Sequence, residues 1–139
     1  MKGDSSWLFA TAIPAVMLLV LFAFVFYLPQ VQADCSIWNL KVHQEQKGWL
    51  RGIPVYQVSV LNTCFIPNGC TLGNIHLTCG DFNTSFPINP AILRRLSFND
   101  CLLWDGAPLP TAIAAYVEYA HSEPYPMTIS SVTCIPQDP

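Results

Sequence analysis

The sequence predicts an all-β fold, a small disulfide-stapled antiparallel β-sandwich with one short helical turn. Three observations lead there. Short runs with an apolar side chain at every second position recur between turn residues, the pattern of strands buried on one face. Twelve prolines and seven glycines punctuate 139 residues, and only 11% of the chain is charged. All six cysteines, Cys35, Cys64, Cys70, Cys79, Cys101 and Cys134, fall in the last three quarters of the chain.

The elements follow in order. Trp7 to Leu28 carries no charge, and Pro14 divides it, leaving Ala15–Leu28 as an apolar core of signal-peptide length. Pro29 closes that helix, and Val31-Gln32-Ala33 places small residues where a signal peptidase cuts. Residues 1–33 therefore read as a signal peptide and 34–139 as a cysteine-rich β domain. The alternative is an uncleaved anchor, through which alone the chain would meet a membrane. Both place the cysteines on the oxidising side.

Ser36–Gln44 alternates, with Trp38, Leu40 and Val42 on one face. Gly48, Gly52 and Pro54 form a loop, and Val55–Leu61 turns Tyr56, Val58 and Val60 inward. Pro67-Asn68-Gly69 is a turn, and Asn74–Cys79 puts Ile75 and Leu77 inward. Asn89-Pro90 is a helix start, an Asn cap with Pro in first position, with Ile92, Leu93 and Leu96 on one face and Arg94-Arg95 on another. Ile113, Ala115, Val117 and Tyr119 mark the next strand and Met127–Cys134 the last. If these two strands form a hairpin, Cys134 returns near residue 110, which favours Cys101–Cys134 among the fifteen pairings of six cysteines.

Beyond Ala33 there are five basic and eight acidic residues, so the basic footprint of a nucleic-acid binder is missing. An even number of cysteines in a small secretory chain reads as three disulfides. The competing zinc set, Cys64, Cys70, His76 and Cys79, lacks the paired C-x2-4-C knuckle. No cofactor or metal is expected. There is no nucleophile elbow, H-E-x-x-H or phosphate loop. His43, His76 and His121 read as solvated side chains, and Glu118 with Glu123 is a weak candidate for a glycosidase pair.

Binding features are richer. Trp49 and Trp104 lie in loops beside polar residues, where an indole can stack on a sugar or anchor a protein interface. Asn83-Thr84-Ser85 is an N-glycosylation sequon. A secreted cell-wall carbohydrate-binding module is one reading of these features.

An ordered set of short motifs points to another. Cys35 with Gln44 nine residues on, then Gly52-Ile53-Pro54-Val55-Tyr56, Asn62-Thr63-Cys64, Ile75-His76-Leu77-Thr78-Cys79-Gly80, Ile88-Asn89-Pro90, Asp100-Cys101-Leu102, Gly106-Ala107-Pro108-Leu109-Pro110 and Val132-Thr133-Cys134 span Cys35 to Cys134, nearly the whole mature chain. Together they resemble the plant tapetum-determinant family of small secreted cysteine-rich proteins, and depart from it at Trp104-Asp105. The resemblance implies a non-enzymatic extracellular ligand in the apoplast, whose partner is the ectodomain of a leucine-rich-repeat receptor kinase and whose role is cell fate in anther tissue. Arg94-Arg95, the one adjacent basic pair, then has three readings: a solvated helix face, a dibasic processing site, or a receptor contact.

Overall fold

The computed structural model describes residues 4–27, 35–66 and 69–136. The chain divides into two compact units, Met1–Gln32 and Ala33–Pro139, each treated by itself. The first is a helix, α1 (Asp4–Tyr27), continuous through Pro14 rather than divided there. Proline inside a helix withholds one backbone donor, a cost the helix bears here without ending. Among the described residues no helix is long and apolar enough to cross a membrane. Pro29, Val31-Gln32-Ala33, Pro67 and Asn68 lie outside the described residues.

The second unit is an antiparallel β-sandwich. A three-stranded sheet has the order β1 (Leu40–Leu50), β2 (Ile53–Asn62), β6 (Ala114–Ala120), and a four-stranded sheet the order β4 (Leu93–Ser97), β5 (Asp100–Leu103), β3 (Thr71–Leu77), β7 (Ile129–Ile135). Alternation sets the inner faces as expected: Tyr56, Val58 and Val60 of β2 lie opposite Tyr119, Val117 and Ala115 of β6, and all six are buried. Ile75 and Leu77 meet them from the other sheet. The glycines expected to form a loop instead lie along a hairpin. Gly48 sits at a bulge that lets β1 continue to Leu50. Arg51 and Gly52, both with positive φ, close a two-residue turn of the kind that matches strand twist.

Four expectations are corrected. The helical turn after Asn89 does not propagate. The Asn89 side chain accepts from the Ala91 N–H, as a cap should, but the chain then extends into β4, because pairing with Asp100–Leu103 outweighs one marginal turn. Trp38 is not on an inner face; it lies in a tight turn, Ile37–Asn39, capped by Ser36. Ala114–Ala120 and Ile129–Ile135 do not form a hairpin, since one joins β2 and the other β3. Between them Pro124 and Pro126, which cannot donate to a ladder, carry the chain from one sheet to the other. The bridges are consequently Cys35–Cys134, Cys64–Cys70 and Cys79–Cys101, not Cys101–Cys134. The first spans 99 residues and by chain entropy contributes about 4–5 kcal/mol.

One buried polar group organises an end of the sandwich. Asn62 is fully buried; its amide donates to the carbonyls of Cys70 and Leu109, both at 2.8 Å, and its oxygen accepts from the Cys64 N–H at 2.9 Å.

Aromatic residues fill the opposite end. Tyr119, 2% exposed, packs on Tyr56, Phe82 and Tyr125. Its hydroxyl donates to Gln44 Oε1 at 2.5 Å and accepts from the Tyr125 N–H at 2.8 Å. Burial pushes its pKa up to about 12. The phenol of the unfolded chain ionises near pH 10, so the folded state binds this proton more tightly. Its stabilising effect is complete below pH 10 and lost as pH rises to 12, at up to about 1.4 kcal/mol per unit. Thermal melts across that window should show a falling midpoint, flattened in Tyr119→Phe; an equal slope in both proteins would assign the loss elsewhere.

Candidate interaction surface

The β4–β5 hairpin gathers the exposed basic and apolar side chains of the four-stranded sheet. β4 is an edge strand, with Leu93 buried and Arg95, Leu96 and Ser97 exposed. At the turn Phe98 is 75% exposed. A phenyl ring in that position holds apolar surface in water at a free-energy cost that burial against a partner would remove.

The tip is held rigidly. Asn99, at φ 60°, a conformation asparagine tolerates better than most residues, accepts from the N–H groups of Cys79 and Gly80 at 3.2 and 2.9 Å and donates its own N–H to the Gly80 carbonyl. The Cys79–Cys101 bridge ties the same hairpin to the end of β3.

Arg94 and Arg95 have different environments. Arg94 pairs with Asp105, an exposed ion pair worth about 0–1 kcal/mol. Among the described residues no carboxylate lies within ion-pair distance of Arg95. Neither lies on a helix, so the solvated-helix reading is corrected to an edge strand. A processing protease would need β4 to leave β5, and a cut after Arg95 would leave the halves joined, because Cys79–Cys101 and Cys35–Cys134 both span it.

Trp104 follows β5 directly. It and Asp105 take φ of 50° and 54° and are followed by Gly106 at 80°. This cramped turn aims the Asp105 carboxylate at Arg94. At φ 80° any other residue is strained at Gly106, and a Cβ there would come within 2.7 Å of Asn74 Oδ1, which would have to move. Trp104 is half-buried against the core, leaving less of its indole for a ligand than the sequence suggested. Trp49 is 69% exposed, but at the β1–β2 hairpin on the other sheet. The strand registers place it beside Pro54 and near Ala120 in the three-stranded sheet, whereas Trp104 follows β5 in the four-stranded sheet, so the two indoles sit on different sheets. Among the described residues the most exposed indole is Trp38, at 76%. It rims an apolar groove of about 460 Å³ lined by Leu40, Val42, Met127 and Ile129. Phe98 and Trp38 were both missed by sequence reasoning, which takes a large apolar residue beside a strand as core.

The remaining candidates separate cleanly. Cys64, Cys70 and Cys79 are in disulfides, and His76 Nδ1 lies 2.7 Å from Asp100 Oδ1. Among the described residues no group of three or more acidic, histidine or cysteine side chains could hold a metal. His121 is not a solvated side chain as expected: it stacks on Tyr125 at 4.7 Å. Its Nδ1 is buried without a hydrogen-bond partner among the described residues. Glu118 lies on the outer face of its sheet and accepts from Gln57. Asn83 is exposed, in the connection between β3 and β4.

Comparison with known proteins places the chain in context. A family described as "Tapetum determinant 1, C-terminal" matches residues 36–135. "TPD1 protein homolog 1" of Arabidopsis thaliana is 35% identical over 106 residues, covering 76% of this chain and 58% of that protein. "TPD1 protein homolog 1B" of Oryza sativa subsp. japonica is 34% identical over 110 residues, covering 78% and 63%. This chain thus matches about three fifths of the length of these curated relatives. No solved structure matches.

Proposed function

The chain belongs to the tapetum determinant 1 family, and from that premise we propose that it is a secreted, non-enzymatic signalling ligand, bound in the apoplast by the ectodomain of a leucine-rich-repeat receptor kinase and acting in anther cell fate. In this reading residues 1–33 direct the chain into the secretory route and are removed after Ala33.

The observation that carries the reading is the β4–β5 tip. An exposed Phe98, an Arg95 with no ion-pair partner among the described residues, and a hydrogen-bonded, disulfide-anchored backbone make a contact that loses little entropy on binding. Solenoid receptors present extended concave faces on which an exposed hairpin tip can dock. An aromatic anchor with an adjacent arginine is the side-chain pairing in which binding energy concentrates.

Binding of the oxidised, secreted protein to a panel of receptor ectodomains tests this. Phe98→Ala should weaken binding about 30-fold, the effect of losing a 2 kcal/mol anchor. Arg95→Glu should slow association in a salt-dependent way, while Trp38→Ala binds as the wild type does. If no ectodomain binds, the ligand reading fails. If Trp38→Ala is the damaging change, the contact belongs to the groove and not to the hairpin.

A further inference from the structure

We infer that Asn83 carries an N-linked glycan; the inference rests on the secretory reading above. The sequon Asn83-Thr84-Ser85 supplies the motif, and the structure adds an independent reason. Among the described asparagines of the β domain, Asn62 and Asn74 donate from the side-chain nitrogen, and Asn39, Asn89 and Asn99 accept at the side-chain oxygen, so each is tied into the fold. Asn83 alone is not. Its backbone is the fixed part: the Tyr125 hydroxyl accepts from the Asn83 N–H and donates to the Asn83 carbonyl, both at 3.0 Å. The side chain is therefore held at the surface with its amide in solvent.

The neighbouring hydroxyls divide in the same way. Thr84 Oγ1 turns in to the Phe86 carbonyl. Ser85, exposed, anchors only through its N–H, which donates to the Ala120 carbonyl at 2.9 Å; among the described residues its hydroxyl has no partner. The two groups that a sequon must present, the Asn83 amide and the Ser85 hydroxyl, are thus the two left unengaged. Asn62 and Asn99, each two residues before a cysteine, are the opposite case: their side-chain oxygens accept backbone N–H groups, and Cys64 and Cys101 are in disulfides.

The donor is a lipid-pyrophosphate-linked oligosaccharide. The Asn83 amide nitrogen forms a bond to C1 of the first sugar, the C1–O bond to pyrophosphate breaks, the lipid pyrophosphate leaves with the electron pair, and the amide gives one proton to the transferase. Because Ser85 pairs with Ala120 at the end of β6, the glycan emerges beside an edge strand of the three-stranded sheet. Bulky glycan there blocks strand addition by another chain.

The full chain expressed in a eukaryotic secretory host tests the inference. Protein from the medium should lose mass on treatment with a glycoamidase, leaving an aspartate at position 83 in the released peptide. Asn83→Gln and Ser85→Ala should each lose the whole mass shift, while Thr84→Ala and Ser85→Thr keep it. Secreted wild-type protein with the bare polypeptide mass overturns this inference alone. Wild-type protein found only inside cells, unmodified, overturns the secretory reading with it.

Discussion

Asn62→Ala is expected to cost about 3–5 kcal/mol and to remove most of the secreted protein. The substitution orphans three groups at once: the Cys64 N–H and the carbonyls of Cys70 and Leu109. Each unsatisfied buried group costs about 1–3 kcal/mol, against a total of about 5–15 kcal/mol for a domain of ordinary stability. Asn62→Asp should be worse despite its matching shape. The carboxylate can still accept from Cys64, but it faces two carbonyls with no proton to give, and burial makes the unpaired charge expensive. Thr63→Ala is the control, since it removes one part-buried hydroxyl bond to the Asn39 carbonyl at 2.8 Å and should cost about 1 kcal/mol. Melting temperature and yield in the medium read both. Equal values for Asn62→Ala and Thr63→Ala would mean that water replaces the asparagine without loss.

That such a residue carries an end of the fold could not be read from the chain. Asn62 closes a strand that alternates cleanly up to Val60, and nothing local distinguishes it from an ordinary turn asparagine. Its partners Cys70 and Leu109 are 8 and 47 residues away. Where one sheet face settles the matter, the reading was sound: Tyr56, Val58, Val60, Ile75, Leu77, Ala115, Val117 and Tyr119 are all buried, because a period of two leaves only one register that hides them. Where two local signals competed it was not. Ile92, Leu93 and Leu96 carry helical spacing behind a genuine Asn-Pro start, and only the presence of Asp100–Leu103, a four-residue strand too short to alternate visibly, turns them into β4. The disulfide pairing failed with the hairpin on which it depended. The choice between β6–β7 pairing and the observed β2–β6 and β3–β7 pairings is made by distant partners, about which neither strand's own residues say anything.

The interaction surface shows the same division. Residue type singled out Trp49, Trp104, Arg94 and Arg95, but function at a surface depends on exposure and neighbours. Asp105 takes up Arg94, the core takes up half of Trp104, and Phe98 stands exposed at the β4–β5 turn.

Val58→Asp is expected to abolish secretion altogether. Val58 is the middle of the middle strand of its sheet, paired with Gln44 of β1 and Val117 of β6, and is fully buried. A carboxyl group placed there has two options. Ionised, it is an unpaired buried charge, which costs several kcal/mol. Protonated, it must bind a proton about three units above its ordinary pKa, which at about 1.4 kcal/mol per unit costs about 4 kcal/mol at pH 7. The valine's own burial, about 1.5–3 kcal/mol, is lost in either case. Both routes consume most of a small domain's stability. The disulfides cannot rescue it, because Cys35 and Cys134, 99 residues apart, meet only when the sandwich has formed. Ser59→Asp places the same carboxyl one residue along, on the outer face, where Ser59 pairs with His43 and the exposed Tyr116; this variant should be secreted normally. Val58→Ala, with a cavity but no charge, should fall between them, at about 2 kcal/mol. Yield in the medium, measured with retained protein in the cell pellet, ranks the three. If Val58→Asp is secreted and Ser59→Asp retained, β2 faces the other way and the registers that position the β1–β2 hairpin fall with it.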